Sequence, residues 1–163
     1  MSVQCLPKKR LVLKVTGTLA KSRMFLSLLN TLSVSFEITV ICGGGDQANA
    51  KLRAMGYKPR FDENGVRVAK TAKELAIVIQ SHIDTANRLQ RLCDESSIPV
   101  TVYPSLFYGN INADTLLEMC IASGWYDKFA LVTLPERIHD KIKRFSGQYT
   151  QNFGSFHFIP LDP

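Results

Sequence analysis

The run Ile41-Cys42-Gly43-Gly44-Gly45-Asp46-Gln47 sets three glycines between an apolar stretch and a segment that suits a helix. Backbone without side chains can approach a ligand closely. Its N–H groups can converge on an anion, and the positive end of a following helix adds to the attraction. The spacing is neither the GxGxxG of dinucleotide folds nor the Walker pattern with its Lys-Ser/Thr. The same Gly43, Gly44 and Gly45 also suit a tight strand–helix turn that holds nothing. Lys14 stands near the end of an earlier apolar run, just before Thr16-Gly17. Its ammonium either reaches over the strand ends towards an anion on the glycines or snorkels to water.

Arg67, in Asn64-Gly65-Val66-Arg67, is of the type that grips a carboxylate or phosphate with two parallel hydrogen bonds, although loop arginines are commonly solvated. Asn110, Asn112 and Asp114 cluster ahead of a helical pattern, where Asn and Asp serve first as caps. As a site, one amide would hold a polar substrate group and the carboxylate would orient a lysine. His82, His139 and His157 are isolated and read as helix-face or surface residues, without a Ser/His/Asp or Cys/His pattern. Cys5, Cys42, Cys93 and Cys120 form no CxxC pair, so free thiols are expected rather than a metal site or a disulfide framework.

The elements that must position these residues alternate. Leu11-Val12-Leu13 with Val15 reads as a strand buried on both faces, closed by Gly17. Met24, Phe25, Leu28, Leu29 and Leu32 share one helical face. Phe36 to Ile41 is a second strand, and a short helix fits Asp46 to Met55 with Gly56 as its stop. Residues 56–70 read as a loop. Thr71 and Glu74 form a capping-box signature for a long helix, with Leu75, Val78, Ile79, His82, Ile83, Ala86, Leu89 and Leu92 at helical spacing to about Cys93. Strands are expected over Pro99–Tyr103, Phe129–Leu134 and Phe156–Ile159. Helices are expected from Asn112 to Gly124, and from Pro135, in the first turn, to about Phe145. This alternation predicts an α/β protein, a three-layer α/β/α sandwich with a mostly parallel sheet, whose ligand site lies at the carboxyl ends of the strands.

The 163 residues correspond to one domain, 1–163. With 45% apolar and 21% charged residues the composition is that of a globular protein, not a disordered one. No apolar run approaches the roughly 20 residues of a membrane span. No apolar leader with a small-residue cleavage site opens the chain, so a cytoplasmic location is expected. The net charge of +6 favours an anionic partner. Lys8-Lys9-Arg10 reads as a solvated strand approach, and aromatic residues do not interleave with basic ones as a single-strand platform requires, so nucleic acid is the weakest reading.

Taken in order, these segments resemble the amino acid kinase family. Leu13-Lys14-Val15-Thr16-Gly17 is similar to its first strand and Lys-x-Gly-Gly turn. Cys42-Gly43-Gly44-Gly45-Asp46-Gln47-Ala48-Asn49 resembles His-Gly-Gly-Gly-Pro-x-Ile-Asn. Gly65-Val66-Arg67-Val68 resembles Gly-Leu-Arg-Val, and Asn110-Ile111-Asn112-Ala113-Asp114 resembles Asn-Val-Asn-Ala-Asp. The match runs over about residues 10 to 134.

The resemblance implies transfer of the terminal phosphoryl group of ATP, with Mg²⁺, to a carboxylate or phosphate of a small metabolite. Gly17, Gly43, Gly44 and Gly45 would cradle phosphate, and Lys14 would meet the developing charge. Arg67, Asn110 and Asn112 would bind substrate, and Asp114 would hold lysines in place. It also implies a homo-oligomer. Departures are visible. Thr16 replaces the first Gly of the turn, where its side chain could crowd a phosphate, and Cys42 replaces His. The chain is shorter than members commonly are, and for a second catalytic lysine it offers Lys141 or Lys143, neither in a matching motif. The alternative is a metabolite-binding or protein-interaction module on a kinase-derived fold, without catalysis.

Overall fold

The computed structural model describes residues 7–63, 67–105, 112–146 and 156–163. Among them runs one sheet of five strands, β1 (Lys9–Val15), β2 (Phe36–Cys42), β3 (Val100–Pro104), β4 (Lys128–Thr133) and β5 (Phe156–Pro160). Their spatial order is β3-β2-β1-β4-β5, and every pairing is parallel. All five expected strands are therefore present within a residue or two of their expected bounds.

β1 is central because its apolar residues suit burial on both faces. Leu11, Val12, Leu13 and Val15 are all buried between β2 and β4. The period of two sorts them. Leu11, Leu13 and Val15 face a core with Phe25 and Leu29 of α1 (Arg23–Ser33) and with Ala86, Leu89 and Cys93 of α3 (Ala72–Glu95). Val12 faces the other core, with Leu117 and Ile121 of α4 (Ala113–Ser123) and Phe145 of α5 (Ile138–Ser146). Helices thus cover both faces, making a three-layer α/β/α sandwich. The same alternation puts Lys14 on the α4–α5 side, two residues on from Val12.

α2 (Gly45–Ala54) packs on α3 through Ala48, Leu52 and Val78. α3 starts at the expected capping box: Glu74 N donates to Thr71 Oγ1 at 3.1 Å, and Thr71 N donates to Glu74 Oε2 at 3.2 Å. Arg60 adds an ion pair to Glu74 at 3.1 Å. α4 ends at Gly124, whose φ of 69° lies in the left-handed region that glycine enters without strain.

Four expectations need correction. Met24 belongs to the exposed side of α1, because Phe25, Leu29 and Ser33 set the buried stripe. Leu75 is exposed in the first turn of α3, before the helix meets the sheet. Residues 61 and 67 are joined by an antiparallel bridge within the segment expected to be loop. The stretch from Pro135 is a 3-10 turn (Pro135–Arg137) before α5 begins at Ile138. Among the described residues no helix is long and apolar enough to cross a membrane.

Candidate functional site

In this strand order, chain progression runs outward one way through β1, β2 and β3 and the other way through β4 and β5. The reversal lies between β1 and β4, where parallel α/β sheets open a crevice at the strands' carboxyl ends. A cavity of about 350 Å³ opens at the strands' carboxyl ends, over β1 and β2. It brings together Lys14 and Gly17 after β1, Gly43 to Asp46 after β2, Arg67 from the bridge segment, and Asn112 and Asp114 at the start of α4. Of the expected site residues, Asn110 lies outside the described residues, as do Gly65 and Val66 of the Arg67 loop motif. All the others line this one cavity.

Charge dominates it. Lys14, Arg67, Arg137, Lys141 and Arg144 face Asp46 and Asp114. Asp114 organises three of these cations. Its Oδ1 lies 3.0 Å from Lys14 Nζ, its Oδ2 pairs with Lys141 Nζ, and Arg144 Nη1 stands 3.5 Å from Oδ2. Arg144 is also held by Glu118, 3.0 Å from Nη2.

Lys14 and Asp114 are only 5% exposed. Two buried charges are tolerated because each is the other's partner. Burial pushes the Asp114 carboxyl up, but Lys14 and Lys141 outweigh it and bring the group down to about 2. For Lys14, burial outweighs the attraction of Asp114, and Lys141 adds to the lowering, so its pKa lies below the ordinary 10.5.

The glycines act by different means. Gly44 caps α2. A Cβ on it would fall 2.8 Å from the Cα of His82, so its smallness lets α3 approach. A Cβ on Gly17 would fall 2.5 Å from the Gly43 carbonyl oxygen and 2.4 Å from Gln47 Oε1, so the turns after β1 and β2 need it to pass each other. Around Gly45 the nearest atom is Arg67 Nη2 at 3.6 Å, which is ordinary contact. Packing alone thus explains Gly17 and Gly44. Gly44, Gly45 and Asp46 at the start of α2 line the cavity all the same, and the first-turn N–H groups of a helix have no intrahelical acceptor.

Arg67 donates to Asn49 Oδ1 at 2.5 Å and to the Gly45 carbonyl at 3.0 Å, and lies 4.9 Å from the centre of the Phe61 ring. Among the described residues each terminal nitrogen of the fork makes one hydrogen bond, and each carries a second hydrogen. Asn112 is the N-cap of α4, with its side-chain oxygen accepting from Asp114 N at 3.0 Å, so the cap explanation accounts for it. Thr16 is buried on the cavity wall, and its hydroxyl has no partner among the described residues. The Cys42 thiol is buried and pushed up to about 12, which keeps it protonated and unreactive at neutral pH.

Sequence reasoning missed three cavity residues and misread a fourth. Arg137 and Arg144 sit in the 3-10 turn and helix after β4, where no spacing signal marks them. Ser105, just past β3, carries no motif either. His82 is not a surface residue: it lies on the buried face of α3, and its Nδ1 is 2.6 Å from Ser105 Oγ. Its signal was a polar residue on the apolar stripe of α3. Of the two candidate second lysines, Lys141 reaches the cavity, while Lys143 is exposed and absent from its lining. Among the described residues no group of three His, Cys, Asp or Glu side chains could hold a metal ion.

The class defined by this architecture is the parallel three-layer α/β/α sandwich with a cationic site at the strand ends. Two solved structures share the fold. Both are N-acetylglutamate synthase from Neisseria gonorrhoeae. The one complexed with coenzyme A and L-arginine aligns with a TM-score of 0.59 and 14% identity, over 77% of this chain and 43% of that one. The one complexed with coenzyme A and N-acetyl-glutamate aligns at 0.56 and 12%, over 93% and 54%. The chain thus spans about half the length of these structures. At such identity the likeness is one of fold. No family model matches the chain, and no curated protein matches it.

Proposed function

We propose that this chain binds a small metabolite bearing a carboxylate or phosphate in the cavity at the carboxyl ends of β1 and β2. The reaction we assign to it is phosphoryl transfer from ATP to that group. One observation carries the reading: a buried carboxylate, Asp114, holds Lys14 and Lys141 together in a cavity that the N-terminus of α2 also lines. A buried cation without a nearby negative charge is costly, and a carboxylate shared among several cations leaves positive charge for a ligand to neutralise. The bound molecules named for the two fold relatives, L-arginine and N-acetyl-glutamate, are small and carry carboxylates, which agrees with a site of this kind.

Phosphoryl transfer asks a protein mainly for positioning and charge stabilisation. The acceptor oxygen would form a bond to the terminal phosphorus as the bond to the bridging oxygen breaks, and ADP would leave with that electron pair. An acceptor carboxylate needs no base. Lys14 and Lys141 would balance the charge spreading over the transferred group, the α2 N–H groups would cradle its oxygens, and Arg67 would hold the acceptor's far end.

The cavity suits a phosphate chain in charge. Of its two carboxylates, Asp114 is committed to its lysines, and Asp46, which accepts from Thr18 Oγ1 at 2.5 Å with one oxygen, is the one left that could touch Mg²⁺. The ion would therefore be held chiefly by phosphate and water oxygens, as Mg²⁺ commonly is. Among the described lining residues only Phe61 and Ala113 are apolar, and neither makes a slot for a nucleobase. That last observation favours the second reading, metabolite binding without transfer.

Phosphorus NMR of the protein with MgATP and a panel of small mono- and dicarboxylic acids separates the two. An acyl phosphate resonance that requires both protein and acid supports transfer. Acids that bind with ATP left intact would reduce the function to binding.

A further inference from the structure

His82 and Ser105 are buried side by side on the cavity wall, and no step above uses them. The imidazole Nδ1 lies 2.6 Å from Ser105 Oγ, a contact either atom could donate. Hydrogen-bond satisfaction decides which. If Nδ1 carried the proton, the Ser105 hydroxyl hydrogen would be left without an acceptor among the described residues. If the hydroxyl donates to Nδ1, the Ser105 hydroxyl and Nδ1 satisfy each other, and the ring proton sits on Nε2 as the one polar group left for a ligand.

Nε2 has no protein partner among the described residues. Its ring neighbour Cδ2 stands 3.1 Å from where a Gly44 Cβ would be, beside the first turn of α2. The Nε2–H is thus a donor on a cavity-lining ring that packs beside the first turn of α2.

We propose that His82, locked in one tautomer by Ser105, is a ligand-binding residue whose Nε2–H donates to the anionic oxygen held at the N-terminus of α2. This rests on the anion-site reading above and adds a specific donor to it. Burial, with Arg67 adding to the effect, lowers the ring's pKa to about 4, so the donor is a neutral imidazole that needs no counter-charge. Gly44 then has two uses: it ends the strand–helix turn, and it lets the ring reach the helix terminus. Ser105 is a positioning residue that acts through His82.

The test is nitrogen–proton correlation NMR of the histidine ring, with inorganic phosphate as the probe. In the free protein, His82 is expected as the Nε2–H tautomer, and phosphate is expected to shift that resonance. The Nδ1–H tautomer overturns the proposal whether or not phosphate binds. Phosphate binding that leaves the Nε2 resonance unmoved overturns it while sparing the anion site. Failure of phosphate and small acids alike to bind overturns both.

Variants add an independent arm. The amide nitrogen of Gln can stand in for Nε2 and that of Asn for Nδ1. His82→Gln is therefore expected to bind phosphate nearly as the parent does, and His82→Asn about tenfold more weakly, as for one lost hydrogen bond. Equal losses in two folded variants would contradict the proposal. Ser105→Ala should leave the ring in place but mix its tautomers, which a purely structural serine would not do.

Discussion

Asp114 is the residue on which the charge pattern of the cavity turns. Replacing it with Asn keeps the shape but leaves Lys14 buried with no counter-charge. The expected cost is about 3–5 kcal/mol of stability, the range for removing one partner of a buried pair, read by urea unfolding. Its carboxyl is held at about 2 against an ordinary 3.8. A lowered carboxylate pKa stabilises the fold at pH above the unfolded value, and that contribution is lost as pH falls through the folded one. The parent should therefore lose stability between about pH 4 and about pH 2 beyond what the Asn variant loses.

At the same scale, Lys141→Met should weaken binding of a small acid at least about tenfold, the range for a charge-assisted contact. Lys143→Ala, an exposed neighbour, should leave it unchanged. Titration calorimetry on the two variants reads the difference. Lys14, Asp114 and the glycines were legible because each stands at the end of a strand or the start of a helix, where type and position speak together, and Arg67 by its type within a loop motif. Arg137, Arg144, Ser105 and His82 were not. Only packing of α3, α5 and the segment after β3 brings them to the same space.

The elements were easier to read than the contacts between them. Strand bounds followed from short apolar runs, and the capping box at Thr71 named the start of α3. Thr71→Ala should cost about 1 kcal/mol, as loss of an N-cap does, measured as a drop in unfolding free energy. The apolar stripe of α1 was misjudged at Met24, since five apolar residues at helical spacing exceed the face a single sheet contact can cover. The glycines show a similar limit. A glycine-rich turn suggests a ligand, yet Gly44 is required first by α3. Gly44→Ala should therefore destabilise by about 1–3 kcal/mol, the usual cost of forced overpacking, even with no ligand present. A fully stable Gly44→Ala protein would show that α2 and α3 are not pressed together here.

At the scale of the whole molecule, strand order does what no single motif could announce. Because all five strands run parallel, their carboxyl ends lie along one edge of the sheet, where residues from positions 14 to 144 share one cavity. The sequence alternation predicted the sandwich, but spatial strand order is a property of long-range pairing, and local periodicity does not encode it.

The proposed function requires that this cavity, through Lys14, bind a small anionic metabolite. Its most direct test is titration calorimetry of the parent and of Lys14→Met against a panel of small carboxylic and phosphorylated acids, with both proteins shown to be folded. The account predicts saturable binding of at least one acid to the parent and its loss in the variant. Equal binding by both proteins, or no heat from any acid up to millimolar concentration, would contradict it.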